Sequence, residues 1–184
     1  GIIPAYPLYA GLVMVIRKIA IEKEDINVLD TFKTSVKENW KTFLINGIIT
    51  YLIITLSVFA ILYYYSMASV SAVYSALLTL YLFFSAMLVA TMFYVPMMNI
   101  TYDIKLLQVY KNSFILVFGK ILRSVLTLLA VAVPTAVVFF AIMLTSNVWL
   151  LIAGILVSLI YPLFYTYIVV SIISKPLQEA VGSF

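Results

Sequence analysis

Pro134 and Pro162, with Ser158, Tyr161, Tyr165 and Thr166 around the second, are the residues of this chain best suited to hold a small neutral molecule. A proline inside a helix leaves the carbonyl four residues earlier without its donor, here Ala130 and Ser158. The two prolines flank Asn147 at nearly equal sequence distances. On antiparallel helices joined at that point, their depths agree to about 3 Å. A cavity there would have acceptors above and below and phenol hydroxyls as donors, and helices broken at mid-depth are how many transporters build substrate sites. Neutral, hydroxyl-rich solutes fit such a lining better than ions. The same prolines also serve as plain bends, and the first half of the chain has no mid-depth proline to complete a pair of broken helices.

Most other chemistry lacks its residues. The chain has no Cys and no His, which removes disulfides, thiolate nucleophiles, the usual zinc ligands and imidazole acid-base work. No acid or base occurs from Thr42 through Tyr102 or from Ser124 through Ser174, whereas intramembrane charges are the usual marks of proton relays and ion coupling. No catalytic residue, metal or cofactor is therefore expected, and the chain reads as a non-enzyme without a nucleic-acid partner.

The elements that carry these residues follow from hydropathy. Of 184 residues, 65% are hydrophobic and 10% charged, against about a quarter charged in soluble domains. One spanning helix needs about 20 apolar residues, and each of the two charge-free runs is more than long enough for two. The predicted fold is all-α and polytopic. Its spans cover residues 43–65, 71–96, 124–144 and 148–174, with tight turns at 66–71 and 145–147. Small residues four apart, Ser71, Ser75 and Thr79, Ala132 and Ala136, Gly154 and Ser158, are expected to pack helices closely. Residues 1–16 make about 24 Å of helix, a partial span, and because the first residue is Gly1 rather than Met the chain is expected to begin partway through a longer protein.

Before the first full span, Leu29, Phe32, Val36, Trp40 and Phe43 recur at intervals of three and four, with Lys33, Lys37 and Lys41 forming a stripe opposite. That pattern is an amphipathic helix, predicted to lie on the inner membrane surface against anionic lipids. When the sequence is laid over itself with Lys111 under Lys33, Ser113 falls under Ser35, and Leu107, Tyr110, Phe114, Phe118 and Ile121 fall on the same apolar pattern. The chain thus divides into a partial span with a basic and acidic turn (1–24), a first helix-hairpin unit (25–97) and a second (103–175), all within one membrane domain. Duplication and independent convergence on one membrane layout both account for the likeness.

All eleven Lys and Arg residues fall in 17–41, 105–123 and at Lys175, with none in the hairpin turns. The positive-inside rule places those segments and the C-terminus on the cytoplasmic side of a multi-pass membrane protein. Tyr63, Tyr64, Tyr65 and Trp149 then mark the outer interface, and Trp40, Tyr94 and Tyr102 the inner one.

The opening GIIPAYPLY, the following RKIAIEKED and the amphipathic DTFKTSVKENWKTF resemble the start of the YesL family of bacterial membrane proteins. The likeness covers about the first quarter of the chain, and beyond it only the hydropathy agrees. The family has no established catalytic residues to carry over. The resemblance implies a further span before Gly1, a total of six helices, and an accessory or regulatory role in bacterial carbohydrate uptake beside an ATP-driven importer in a membrane transporter complex. The alternative class is a small neutral-solute permease or channel using the proline-kinked cavity. Orientation has a direct check: single cysteines at Ser69 and Ser146 should react with an impermeant maleimide on intact cells, and one at Ser35 should not.

Overall fold

The computed structural model describes residues 2–144 and 148–181, without the side chains of residues 2–5, 149–151, 153, 158, 159, 180 and 181. The turn at 145–147 therefore lies outside the described residues. Helix α1, Ile2–Ile16, widens into a π-helical turn, Arg17–Glu22. That turn closes on Lys23, whose φ of 55° is left-handed and whose N–H bonds to the Lys18 carbonyl. Next come α2 (Val28–Met67), α3 (Ala72–Thr101), α4 (Leu106–Gly119), α5 (Ile121–Leu144) and α6 (Val148–Val181). The described chain is all-α, and four stretches are long and apolar enough to cross a membrane: Val28–Met67, Ala72–Thr101, Ile121–Leu144 and Ile160–Glu179.

Helix α2 starts where Asn27 caps it, its side-chain oxygen accepting from the Asp30 N–H at 3.3 Å, as N-cap asparagines do. The amphipathic stretch is continuous with the first span inside α2, whereas in the second unit it is the separate helix α4, ended at Lys120. Even so, α2 is not straight. Phe32 lies on Gly11 and Gly47 backs onto Tyr6. These α2 positions would be about 22 Å apart on a straight helix, while Tyr6 and Gly11 are only about 8 Å apart along α1. Contacts this tight at both places require α2 to bend around α1, so its amphipathic start turns away from the span that follows. The offset that carries Lys33 onto Lys111 also carries the start of α2 onto the start of α4 and the end of α2 close to the end of α5, and it places α3 within the limits of α6.

The core gathers at the lysine-rich end. It joins Val13 of α1, Ala90–Met98 of α3, Val109 and Val117 of α4, and Val169–Leu177 of α6. Helix α6 does not stop at Ser174: it continues through Pro176, and Glu179 pairs with Lys120 at 2.7 Å and Arg123 at 3.4 Å. Toward the hairpin turns the large apolar residues face outward, Phe59, Leu62 and Val73 on one hairpin and Phe140 and Leu144 on the other. A surface that faces lipid needs no polar cover.

Four expectations need adjusting at this level. Tyr94 is fully buried rather than part of an interfacial belt. The small-residue rows behave differently from one another: Gly154 lies against Ile142, while Ala132, Ala136, Ser75 and Thr79 face outward. Trp149 has its side chain outside the described set. Ser35 is 2% exposed, so silence of a cysteine there would report packing rather than sidedness, and the exposed Lys37 is the position that tests orientation.

The close approach of α1 and α2 has a measurable cost if disturbed. A Cβ on Gly47 would stand 2.7 Å from Tyr6 Cβ, an atom fixed to its backbone. Gly47→Ala should therefore destabilise the bundle by about 1–3 kcal/mol, the usual cost of overpacking, seen as a fall in Tm in detergent. Gly11→Ala meets only the ring of Phe32, which can swing aside, and should lower Tm less.

Candidate functional site

A cavity of about 550 Å³ opens where α1, α2, α3 and α6 meet, within the range that encloses small ligands. Its hydroxyl-bearing residues are Tyr6 and Tyr9 from α1, Thr50 from α2, and Tyr161 and Tyr165 from α6. Ile54, Val89, Met92, Phe93 and Pro162 supply the rest of the wall. Three sequence-predicted residues, Tyr161, Pro162 and Tyr165, lie together in this wall. Pro134 and Thr166 are not part of this wall, and the Ser158 side chain lies outside the described residues. The cavity sits between the two hairpins and α1, not between α5 and α6.

The reason is visible in the hydrogen bonds. Tyr161 reaches from α6 to α5, where its hydroxyl meets that of Thr135 and also donates to the Val131 carbonyl at 3.3 Å. Thr135 donates to the same carbonyl at 2.6 Å. This bridge ties the two helices together beside Pro134. On α6, the fully buried Thr166 donates to the Pro162 carbonyl at 2.6 Å, a local bond typical of threonine in spanning helices. Tyr6 and Thr50 share a hydrogen bond at 3.4 Å, and the Tyr9 hydroxyl meets those of Tyr165 and Thr166. The hydroxyls around the cavity are therefore engaged by the protein, and what the tyrosines offer to its interior is largely ring. Tyr9 packs on Tyr165 with ring centroids 6.0 Å apart, and Phe93 packs on Tyr165 at the same separation.

Sequence reading missed Tyr6, Tyr9 and Thr50. Their signal was weak, since tyrosine is common here, at 14 residues, and only the tertiary placement of α1 turns two of them inward. Toward the lysine-rich end lies a second polar pair that was also missed. Tyr110 of α4 donates to Asn46 Oδ1 of α2 at 2.7 Å, and Asn46 is fully buried, its Nδ2 without a hydrogen-bond partner among the described residues. Burial, with a smaller effect of Tyr6, pushes the Tyr110 phenol well above its ordinary range, so it remains a donor. In the second unit the position of Asn46 is taken by Ser124, which is buried, bonds to the Tyr94 hydroxyl at 3.1 Å and donates to the Val117 carbonyl at 3.1 Å.

The other sequence-predicted group, the membrane-interface residues, stays at the surface. Lys33, Lys37, Lys41 and Lys111 are exposed, and among the described residues no ion pair involves them. Trp40 is 46% exposed, with the Lys41 ammonium 5.6 Å from its ring centroid. On the opposite side of that segment, Phe32 lies against α1 and Ser35 donates to the Ala10 carbonyl at 3.1 Å.

A family model described as "Protein of unknown function, DUF624" matches residues 1–63, which are α1, the π-helical turn and most of α2. No curated protein and no solved structure matches the chain. The match thus falls on the bent helix pair and stops before the cavity is complete.

The Asn46–Tyr110 bond can be tested by unequal removal. Tyr110→Phe strips the one hydrogen-bond partner from a buried amide and should cost about 1–3 kcal/mol, whereas the double change with Asn46→Leu removes both partners and should recover most of that loss. Thermal unfolding of the two variants in the same detergent measures the difference.

Proposed function

We propose that this chain is a YesL-type, non-catalytic component of a bacterial plasma membrane, acting as an accessory or regulatory partner in carbohydrate uptake with its lysine-rich face in the cytoplasm. The observation that carries the reading is the way the start of α2 is presented. One side of it is held on α1 by Phe32 against Gly11 and by Ser35 on the Ala10 carbonyl, while Lys33, Lys37 and Lys41 stay exposed and unpaired among the described residues. A rigidly held cationic stripe beside an exposed Trp40 suits contact with anionic headgroups or with an acidic surface of a membrane partner, each lysine near an acidic membrane contributing about 1 kcal/mol. The match over residues 1–63 falls on this same element and on the residues that carry the resemblance to YesL proteins, which supports the assignment, and the resemblance supplies the link to sugar importers.

A second reading, a permease for a small neutral solute, draws support from the cavity beside Pro162. Engagement of the surrounding hydroxyls within the protein counts against a hydroxyl-rich cargo.

The experiment that separates the two is copurification. The full-length protein, extracted in mild detergent after brief crosslinking in cells, should bring with it membrane subunits of an ATP-driven sugar importer. Reversal of the stripe by Lys33→Glu, Lys37→Glu and Lys41→Glu should abolish that recovery without changing helix content. Recovery of the protein alone, combined with solute flux through reconstituted vesicles that Pro162→Ala reduces, would replace the accessory role with the permease.

A further inference from the structure

We infer that the cavity at the junction of α1, α2, α3 and α6 seats one hydrocarbon chain of a membrane lipid, entering sideways between α2 and α6. The lining contains no charged residue, and its hydroxyls are engaged with one another or with backbone, as in the Tyr6–Thr50 and Tyr161–Val131 bonds. A polar solute brought here would lose its water and find few free partners, which is costly. A methylene chain loses nothing by the exchange. Among the described residues α2 and α6 share no extensive packed interface, and Ile54 of α2 and Pro162 of α6 both line the cavity and remain exposed.

The mouth is therefore lateral. The helices that frame it expose further large apolar residues, Phe59 on α2 and Leu163 and Phe164 on α6, and such surfaces of spanning helices meet lipid tails directly. The floor is closed to the lysine-rich side by the packed layer of Phe43, Tyr9 and Tyr165, with Tyr9 set against both other rings. A single chain can thus enter from the bilayer, but a path straight through the protein is blocked at that layer. Flexible Met92 suits such an occupant, since thioether side chains adapt to a chain without fixed shape. This inference does not depend on the accessory role: a seated lipid is compatible with it, and would occupy the space that the permease reading needs for its solute.

The full-length protein in nanodiscs of phosphatidylcholine bearing a diazirine midway along one acyl chain provides the test. After irradiation, peptide mapping should show adducts concentrated at Thr50, Val89 and Met92, in addition to the general background on the outward faces of α5. Ile54→Trp narrows the mouth from an exposed position that tolerates a large side chain, and Val89→Trp fills the interior. Both should lose the cavity adducts while keeping the background adducts and helix content. If Val89→Trp fails to fold, Ile54→Trp still decides. Cavity positions labelled no more than the outward face of α5, or labelled undiminished in Ile54→Trp, would overturn the inference. So would absence of cavity adducts altogether, which would mean that protein fills the space, and so would displacement of the adducts by a neutral disaccharide, which would assign the cavity to a solute.

Discussion

Inside a hydrocarbon solvent a polar atom has no water to turn to, and most of this architecture follows from where the chain finds partners for its polar atoms. The hydroxyls of Thr91, Thr101, Thr127, Thr135 and Thr166 fold back onto carbonyls of their own helices. More consequential are the polar groups that bond between helices. Tyr110 holds α4 to α2 through Asn46, and Tyr94 holds α3 to α5 through Ser124. Both pairs lie close to the point where an amphipathic segment gives way to a span. Each fixes the angle of a corner, and bonds of this kind in the membrane are worth more for geometry than for net stability.

The corner in the first unit is further shaped by α1. Because α2 has to bend around that short helix, two glycines, Gly11 and Gly47, are needed at the close contacts. In the second unit no equivalent short helix lies in the elbow among the described residues, and the chain instead breaks at Lys120, where the Ser124 hydroxyl lies within hydrogen-bond distance of the Val117 and Lys120 carbonyls. Two units with closely similar helix limits therefore reach a similar corner by different means: one by wrapping a bent continuous helix around a partner, the other by interrupting the helix and capping the break. The same asymmetry explains why the core gathers at the lysine-rich end. Helix α1 packs on α2, α3 and α6 there and draws both hairpins together.

Much of the fold was legible in the sequence because hydropathy and charge segregation act on long stretches. The spans at 43–65 and 124–144 fall inside α2 and α5, that at 71–96 starts on the N-cap of α3, and the offset that relates Lys33 to Lys111 recurs in the helix limits. Tyr161, Pro162 and Tyr165 line one cavity, and their proximity was legible because a proline and nearby tyrosines on one helix need no tertiary information. What failed was the choice of the opposite wall. Antiparallel helices joined by a short turn suggested α5, but Tyr161 and Thr135 close that contact, and the open side of α6 faces α1. Periodicity cannot say which of several apolar neighbours a helix will pack upon. Tyr94 was misplaced for a related reason: an aromatic residue near a span end looks interfacial from sequence alone, and only the arrival of Ser124 from another helix reveals a buried bond.

The use of the tyrosines also bears on what the molecule can carry. A permeation path for a polar solute needs donors and acceptors that are free to exchange from one bound position to the next. Here Tyr6, Thr50 and Tyr161 are committed to fixed partners within the protein, and releasing any of them leaves another polar group unpaired in a dry environment, where the loss is largest. The ring layer of Tyr9, Phe43 and Tyr165 below the cavity is closely packed, with Tyr9 edge-on to Phe43, so opening it would disturb α1, α2 and α6 together. The exposed lysines behave in the opposite way, since they have no ion-pair partner among the described residues and can engage a surface without first giving up a bond. Among the described residues, the groups most ready to interact are thus on the charged end of the bundle and not around the cavity.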